Sequence, residues 1–248
     1  MKTVMIVGGN KGVGKEILIA SLNKGYNVAF CSRNQEEGDD IIKSLKAEDK
    51  LYFHKIDLNS TNELENYVIQ TKKKFGSIDA LVIYSGITPV ASITDTEEVV
   101  YDSVFNVNLK APYFLIKHVV KSMKEDNGGS IVFFGSAHMD YGQMDRAAYA
   151  LTKGTLYTLS RHIAHHYAQF GIRSNYIVMG WTHTEGELQL RGEEGVSAEE
   201  LKRKAAAVLP MGRMLTPSDP VPAVMYLISD DSAMTTGSKI RITAGEYI

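Results

Sequence analysis

Short, nearly unbroken apolar runs alternate along this chain with longer amphipathic stretches, and that alternation narrows the folds open to it. Val4-Met5-Ile6-Val7 and Ile131-Val132-Phe133-Phe134 contain no polar residue, so strands formed there must be buried on both faces. The strand series reads 3–7, 27–32, 51–56, 80–84, 130–135 and 172–178, with helical stretches between, the clearest being 13–24, 36–46, 97–123 and 149–169. This order predicts an α/β fold, a parallel sheet with helices on both faces. A chain of 248 residues suits one such domain spanning 1–248. The single shift in composition, 183–207, is charged and glycine-dotted and then helical; it is expected to be a lid closing over a site. Glu185, Glu187, Arg191 and Glu194 give the lid its charge, while Leu188, Leu190 and Val196 offer it an apolar face.

A formal net charge of −2 gives no general attraction to nucleic acid or to an anionic membrane. No apolar run approaches transmembrane length, and residues 1–7 are too short for a signal-peptide core. A cytoplasmic protein with neither nucleic-acid nor membrane partners is expected. Cys31 is the single cysteine, which leaves no intramolecular disulfide to form. Its expected role is a small buried hydrophobe.

The first strand runs directly into Gly8-Gly9-Asn10-Lys11-Gly12-Val13-Gly14. Glycines at 8, 12 and 14 allow a tight turn whose backbone N–H groups meet a pyrophosphate at a helix N-terminus. Turns also collect glycine, so the placement between strand and helix carries the assignment. The second strand ends Cys31-Ser32-Arg33-Asn34, without the acid that would hold the ribose hydroxyls of NAD. Arg33 and Lys11 are instead placed to meet a 2′-phosphate. The expected cofactor is NADP(H), with Gly8, Asn10, Lys11, Gly12, Val13, Gly14, Ser32 and Arg33 at its phosphates and ribose.

Tyr149 and Lys153 stand one helical turn apart on one face. A nearby ammonium lowers the pKa of a phenol by favouring phenolate, which suits proton transfer near neutral pH. The same spacing recurs at Tyr113 and Lys117, so spacing alone does not select a pair. Tyr149 follows a buried strand ending Gly135-Ser136, where ligands of open α/β sheets sit. Tyr113 lies in an apolar helical stripe and is expected in the core.

With these residues in view the chain resembles the short-chain dehydrogenase/reductase family along essentially its whole length, which implies a doubly wound Rossmann-type domain. Gly8, Gly12 and Gly14 resemble the family's cofactor loop, Asp57-Leu58 the pair that meets the adenine, and Gly180-Trp181-Thr182-His183-Thr184 the segment at the nicotinamide. The resemblance makes Asn108, Ser136, Tyr149 and Lys153 the catalytic set, and adds Ser85, Gly86, Gly180, Thr182 and Thr184 to the cofactor contacts. Ser136 would hold the substrate oxygen, Tyr149 exchange the proton, Lys153 lower the tyrosine pKa and bind the ribose, and Asn108 hold a relay water. The chain departs from the family pattern at Val7, at Ile83-Tyr84-Ser85, at Met179 and at Thr243-Ala244. A homotetramer or homodimer is also implied.

His162, His165 and His166 share a helical face, but no acid completes a ligand set there, so no metal is expected. His138 and Arg146, with Tyr141 and Gln143, give the loop after Ser136 polar groups suited to a hydroxylated substrate. The function expected is NADP(H)-dependent interconversion of a carbonyl and a secondary alcohol on a small sugar, sugar acid or polyol. A 3-oxoacyl thioester reductase is the alternative enzyme. A non-catalytic NADP(H) sensor is the alternative outside enzymes, though a sensor has no need of all four catalytic residues.

Overall fold

The computed structural model describes residues 1–126, 128–193 and 195–246, leaving aside the side chains of Leu190 and Glu193. The parts expected of Leu190 and Glu194 in the lid lie outside the described residues. Seven strands form one parallel sheet in the order β3-β2-β1-β4-β5-β6-β7. They are β1 (Thr3–Val7), β2 (Asn27–Ser32), β3 (Leu51–Lys55), β4 (Ala80–Ile83), β5 (Gly129–Ser136), β6 (Ile172–Met179) and β7 (Lys239–Ile242). The helices that matter below are α1 (Gly12–Asn23), α2 (Gln35–Leu45), α3 (Leu64–Phe75), α4 (Glu98–Phe105), α5 (Ala111–Glu125), α6 (His138–Tyr141), α7 (Ala147–His166), α8 (Glu185–Glu193), α9 (Ala198–Val208) and α10 (Val221–Ile228).

Successive strand residues face opposite sides of a sheet, and here both sides are cores. On β1, Val4 and Ile6 pack with Ile17 and Leu18 of α1 and Val224 and Leu227 of α10. Met5 and Val7 pack with Tyr67 of α3, Leu115 and Val119 of α5, and Leu156 and Ile163 of α7. Burial on two faces is why the strand sequences are apolar without alternation.

β1 pairs with β2 on one side and β4 on the other. That reversal of strand order opens a crevice outside the carboxyl ends of the strands. Val7 is level with Ile83, and Ile83 with Phe133. The chain leaving β1, β4 and β5 therefore emerges side by side into that crevice.

Four features differ from the sequence expectation. β7 was not among the expected strands, because Lys-Ile-Arg-Ile on a sheet edge is short and half polar. The helix expected over 97–123 is interrupted by a π-helical turn, Asn106–Lys110, between α4 and α5. Tyr113 is not in the core but 53% exposed; α5 turns Leu115, Ile116, Val119 and Met123 inward instead. Residues 183–207, expected to turn helical only in their second part, carry a helix in both, α8 and α9.

Two backbone positions bear on the site. A Cβ at Gly135 would stand 1.8 Å from the Tyr176 hydroxyl, which uses the space to donate to the Lys153 carbonyl at 2.8 Å. Ala244 holds φ at 53°, left-handed backbone that favours glycine. Cys31 is buried, and burial pushes its thiol up to about 12. Among the described residues no helix is long and apolar enough to cross a membrane.

Candidate active site

A cleft of about 1110 Å³ crosses the carboxyl ends of the strands. Gly8, Asn10 and Lys11 line it from the first loop, Ser32 and Arg33 from the end of β2, and Asp57 and Leu58 from the loop after β3. Ser85 and Gly86 reach it after β4, and Gly180, Thr182 and Thr184 after β6. Gly12, Val13 and Gly14 lie behind this wall. The Val13 side chain is fully buried in the core, so that turn offers a ligand only its backbone.

The first loop has the shape of a phosphate cradle. Gly8 turns with φ at 88°, and a Cβ at Gly14 would fall 1.9 Å from the Gly8 carbonyl oxygen. Helix α1 is entered through Lys11, whose side chain makes no capping bond, leaving N–H groups at its positive end for an anion. A Cβ on Gly12 would stand 3.5 Å from the Thr184 side chain, so the glycine loop lies against the segment that leads into α8. The buried Ser85 hydroxyl has no hydrogen-bond partner among the described residues, and a buried polar group of this kind awaits a ligand or water. Cradle, uncapped helix and orphaned hydroxyl fit a dinucleotide.

Where β2 meets the cleft the strand end carries no acid, but α2 supplies one. Asn34 caps α2 by accepting from the N–H groups of Glu36 and Glu37, which brings the Glu37 carboxylate into the cleft beside Arg33. The Asn10 amide donates to Glu37 at 2.5 Å. Glu37 is silent in the sequence because it stands in the first turn of α2 and not on the strand end, where an acid would hold a ribose. Asp57 accepts from the Asn59 backbone N–H at 3.0 Å.

Asn108, Ser136, Tyr149 and Lys153 converge at the other end. Asn108 sits in the π-helical turn, completely buried. Its Oδ1 accepts from the Ile87 N–H and its Nδ2 donates to the Ile87 carbonyl, both at 2.8 Å; Nδ2 also donates to Thr152 at 3.3 Å. Ser136 ends β5 and Tyr149 opens α7, and both line the cleft. The Lys153 ammonium lies 5.5 Å from the Tyr149 ring centroid and donates to the Phe134 carbonyl at 3.1 Å. Gly86 presses on this group, since a Cβ there would stand 3.3 Å from both Asn108 Oδ1 and Lys153 Nζ.

Titration of the pair differs from the expectation of a lowered phenol. Burial is the largest influence on Tyr149 and pushes it up; the Ser136 hydroxyl pulls it down, and the charges of Glu187 and Arg146 act in opposite senses. Burial also pushes Lys153 down, to about 8. A tyrosine that keeps its proton beside a lysine that readily loses one can relay a proton.

The cleft is also lined by His138 and Arg146, the expected substrate contacts, with Tyr141, Trp181, Glu187 and Glu246. The His138 ring meets the edge of the Tyr149 ring at 5.9 Å between centroids. Arg146 is only 3% exposed and pairs with Asp145 at 3.2 Å. Glu246 accepts from the Trp181 backbone N–H at 3.2 Å and the Tyr141 hydroxyl at 3.1 Å. Its sequence position near the end of the chain gave no sign of this. The histidines at 162, 165 and 166 lie exposed on α7, outside this cleft.

Comparison with known proteins agrees with this geometry. A family model described as enoyl-(acyl carrier protein) reductase matches residues 7–246. A Caenorhabditis elegans protein, dehydrogenase/reductase SDR family member 4, is 33% identical over 98% of this chain and 94% of its own. An L-rhamnose 1-dehydrogenase (NAD(P)+) of a Sphingomonas species is 27% identical over 100% of this chain and 96% of its own. The crystal structure of an actinorhodin polyketide ketoreductase with NADPH superposes with a TM-score of 0.93 at 25% identity, covering 99% of this chain and 98% of that one. Sheet order, glycine cradle, the convergence on Tyr149 and these matches lead to one conclusion: the chain belongs to the short-chain dehydrogenase/reductase family.

Proposed function

We propose that this protein is an NADP(H)-dependent oxidoreductase interconverting a carbonyl and a secondary alcohol on a small polyhydroxylated substrate. The observation that carries the reaction is the meeting of Ser136, Tyr149 and Lys153 at one end of a cleft whose other end is built for a dinucleotide. When bound, the nicotinamide supplies or takes the hydride. Ser136 orients the substrate oxygen, and the Tyr149 phenol gives that oxygen its proton in reduction and recovers it in oxidation. Lys153 restores the proton on Tyr149 and holds the ribose, and Asn108 fixes the loop at Ile87 so that Gly86 stays against Lys153.

Arg33 and Lys11 take the 2′-phosphate in this reading, supported by their shared place in the cleft and the lack of an acid on the strand end. Ser85, Gly86, Thr182 and Thr184 line the nicotinamide half. The chain works as one domain with 183–207 as its lid. The exposed Tyr113 and Phe114 of α5 and Leu151 of α7 support self-association into a homodimer or homotetramer.

The polar groups past Tyr149 support a hydroxylated substrate. A second reading, a 3-oxoacyl thioester reductase, draws on Val196, Leu201 and Val208, which give the lid side of the cleft an apolar wall. NADPH oxidation against a panel of sugars, polyol-derived ketones, long-chain ketones and 3-oxoacyl thioesters decides between them. A kcat/KM hundreds of times higher on a long apolar substrate would leave the reductase and remove the polyol reading.

A further inference from the structure

The lid carries a carboxylate into the substrate end of the cleft and holds it by one oxygen only. Glu187 Oε1 accepts from the Trp181 indole N–H at 2.7 Å and from Arg191 Nε at 2.8 Å. The Arg191 guanidinium also lies 5.7 Å from the Trp181 ring centroid, so indole and guanidinium together fix the carboxylate. The start of α8 is fixed as well, because the Glu187 N–H donates to Thr184 Oγ1 at 3.1 Å. Oε2 has no hydrogen-bond partner among the described residues. Glu187 nevertheless lines the same cleft as Tyr149 and His138, with a side chain only 18% exposed.

His138 lines the same cleft, near enough for the Glu187 charge to act on its ring, and carries an unsatisfied group. His138 Nδ1 is buried without a partner among the described residues, on a ring in edge contact with Tyr149. A carboxylate oxygen only accepts, whereas a neutral imidazole donates from whichever nitrogen carries the proton. A hydroxyl group, with one hydrogen and two lone pairs, satisfies both at once.

We propose that Glu187 and His138 read a hydroxyl group carried beside the reacting carbon, so that the substrate is an α-hydroxy carbonyl compound and its product a vicinal diol. This rests on the polyhydroxylated reading above and sharpens it. The hydroxyl donates to Glu187 Oε2 and accepts from His138 in its Nδ1–H tautomer. The Tyr149 contact of His138 keeps that hydroxyl near the carbon being reduced. Burial, the largest influence on His138, and the nearby charges of Arg146 and Arg191 lower its pKa, while Asp145 and Glu187 oppose them; the net lowering keeps the ring neutral at physiological pH. A methylene in place of the hydroxyl would leave both groups unpaired, the situation in which polar sites discriminate most strongly.

Hydroxyacetone and butanone, nearly equal in shape, are the probes. A hydrogen bond to a charged group is worth roughly ten- to hundredfold in affinity, so the intact enzyme should prefer hydroxyacetone in kcat/KM by about a hundredfold. Glu187→Gln keeps an acceptor for the indole and turns the free oxygen into a donor. It should cut the preference to below about tenfold, with the emission of the single tryptophan, Trp181, and its response to NADPH unchanged. If that emission shifts, His138→Phe decides, since it removes the other half of the pair without touching the lid and should also reduce the preference. A preference for hydroxyacetone that survives either variant with the lid intact overturns the proposal and leaves the polyol reading standing. A wild-type preference for butanone or for a 3-oxoacyl thioester overturns both.

Discussion

Asn108 clasps Ile87 by both of its backbone groups, accepting from the N–H and donating to the carbonyl at 2.8 Å each. The clasp joins the π-helical turn to the loop after β4, and the remaining amide hydrogen goes to Thr152 on the helix of Tyr149. A relay water at this residue must therefore meet its backbone. Asn108→Ala leaves the two Ile87 backbone groups without their partner, while the Thr152 hydroxyl keeps its bond to the Tyr149 carbonyl; the loss should cost about 2–4 kcal/mol of stability. Chemical denaturation would measure that loss, and kcat should fall more than the affinity for NADPH. Unchanged stability would show that the clasp is dispensable.

Tyr149→Phe should lower kcat by about 10²–10⁴-fold, the usual range for removing a general acid, with NADPH binding retained. Tyr113→Phe, on an exposed face of α5, should leave kcat as it was. Steady-state kinetics on both variants would expose a wrong choice of pair.

The site residues divide by how their positions were encoded. Gly8, Ser136 and Tyr149 were legible because each sits at a junction that the apolar runs already marked. Glu246 was not, since it joins the site through a contact with Trp181 across 65 residues of chain; Glu187 was legible only as a charge of the segment 183–207, because neither its indole partner six residues back nor the direction of its side chain is written in the local sequence. Tyr113 was misplaced for a related reason: Phe114, Leu115 and Ile116 beside it offer an apolar stripe, and only the packing of α5 decides which side is inward. The π-helical turn is equally silent, because its residues have ordinary helical character.

Arg33→Ala should weaken NADPH by roughly ten- to hundredfold while NADH changes little, the loss expected for one charge-assisted contact. Fluorescence titration of both cofactors would measure it. A wild-type enzyme that binds NADH more tightly would reverse the assignment and move attention to Glu37.

Lys153 should be kept at the expense of stability. Burial lowers it from 10.5 to about 8, so between those values the unfolded chain binds the proton that the folded chain has released. Stability therefore rises with pH across that window, and below it the buried ammonium is a constant cost. Lys153→Met should be inactive yet more stable than wild type at pH 7, by on the order of 2 kcal/mol after loss of the Phe134 contact. The difference should shrink as pH rises from about 8 towards 10.5. Thermal melts across that range would show it, and a pH-independent difference would contradict the buried charge.

Ala244 occupies left-handed backbone, at φ 53°, where an L side chain costs roughly 1–2 kcal/mol and glycine costs less. Ala244→Gly should stabilise by about 0.5–1 kcal/mol net of its greater unfolded freedom, raising Tm by about 1–3 °C in a chain of this size. A lower Tm would mean that the methyl group, which is buried, contributes packing that outweighs the strain.

Cys31 has a practical consequence. Buried where the end of β2 meets the cleft, with burial holding its thiol up at about 12, it stays protonated and shielded from alkylating reagents at neutral pH. The native chain is thus already silent towards maleimides and nitroxide labels, with no need to engineer its cysteine away. One cysteine placed on the outer face of α8 and a second on α3 would accept a spin-label pair. The distance between the labels, followed as cofactor and then substrate are added, would show whether 183–207 closes over the cleft.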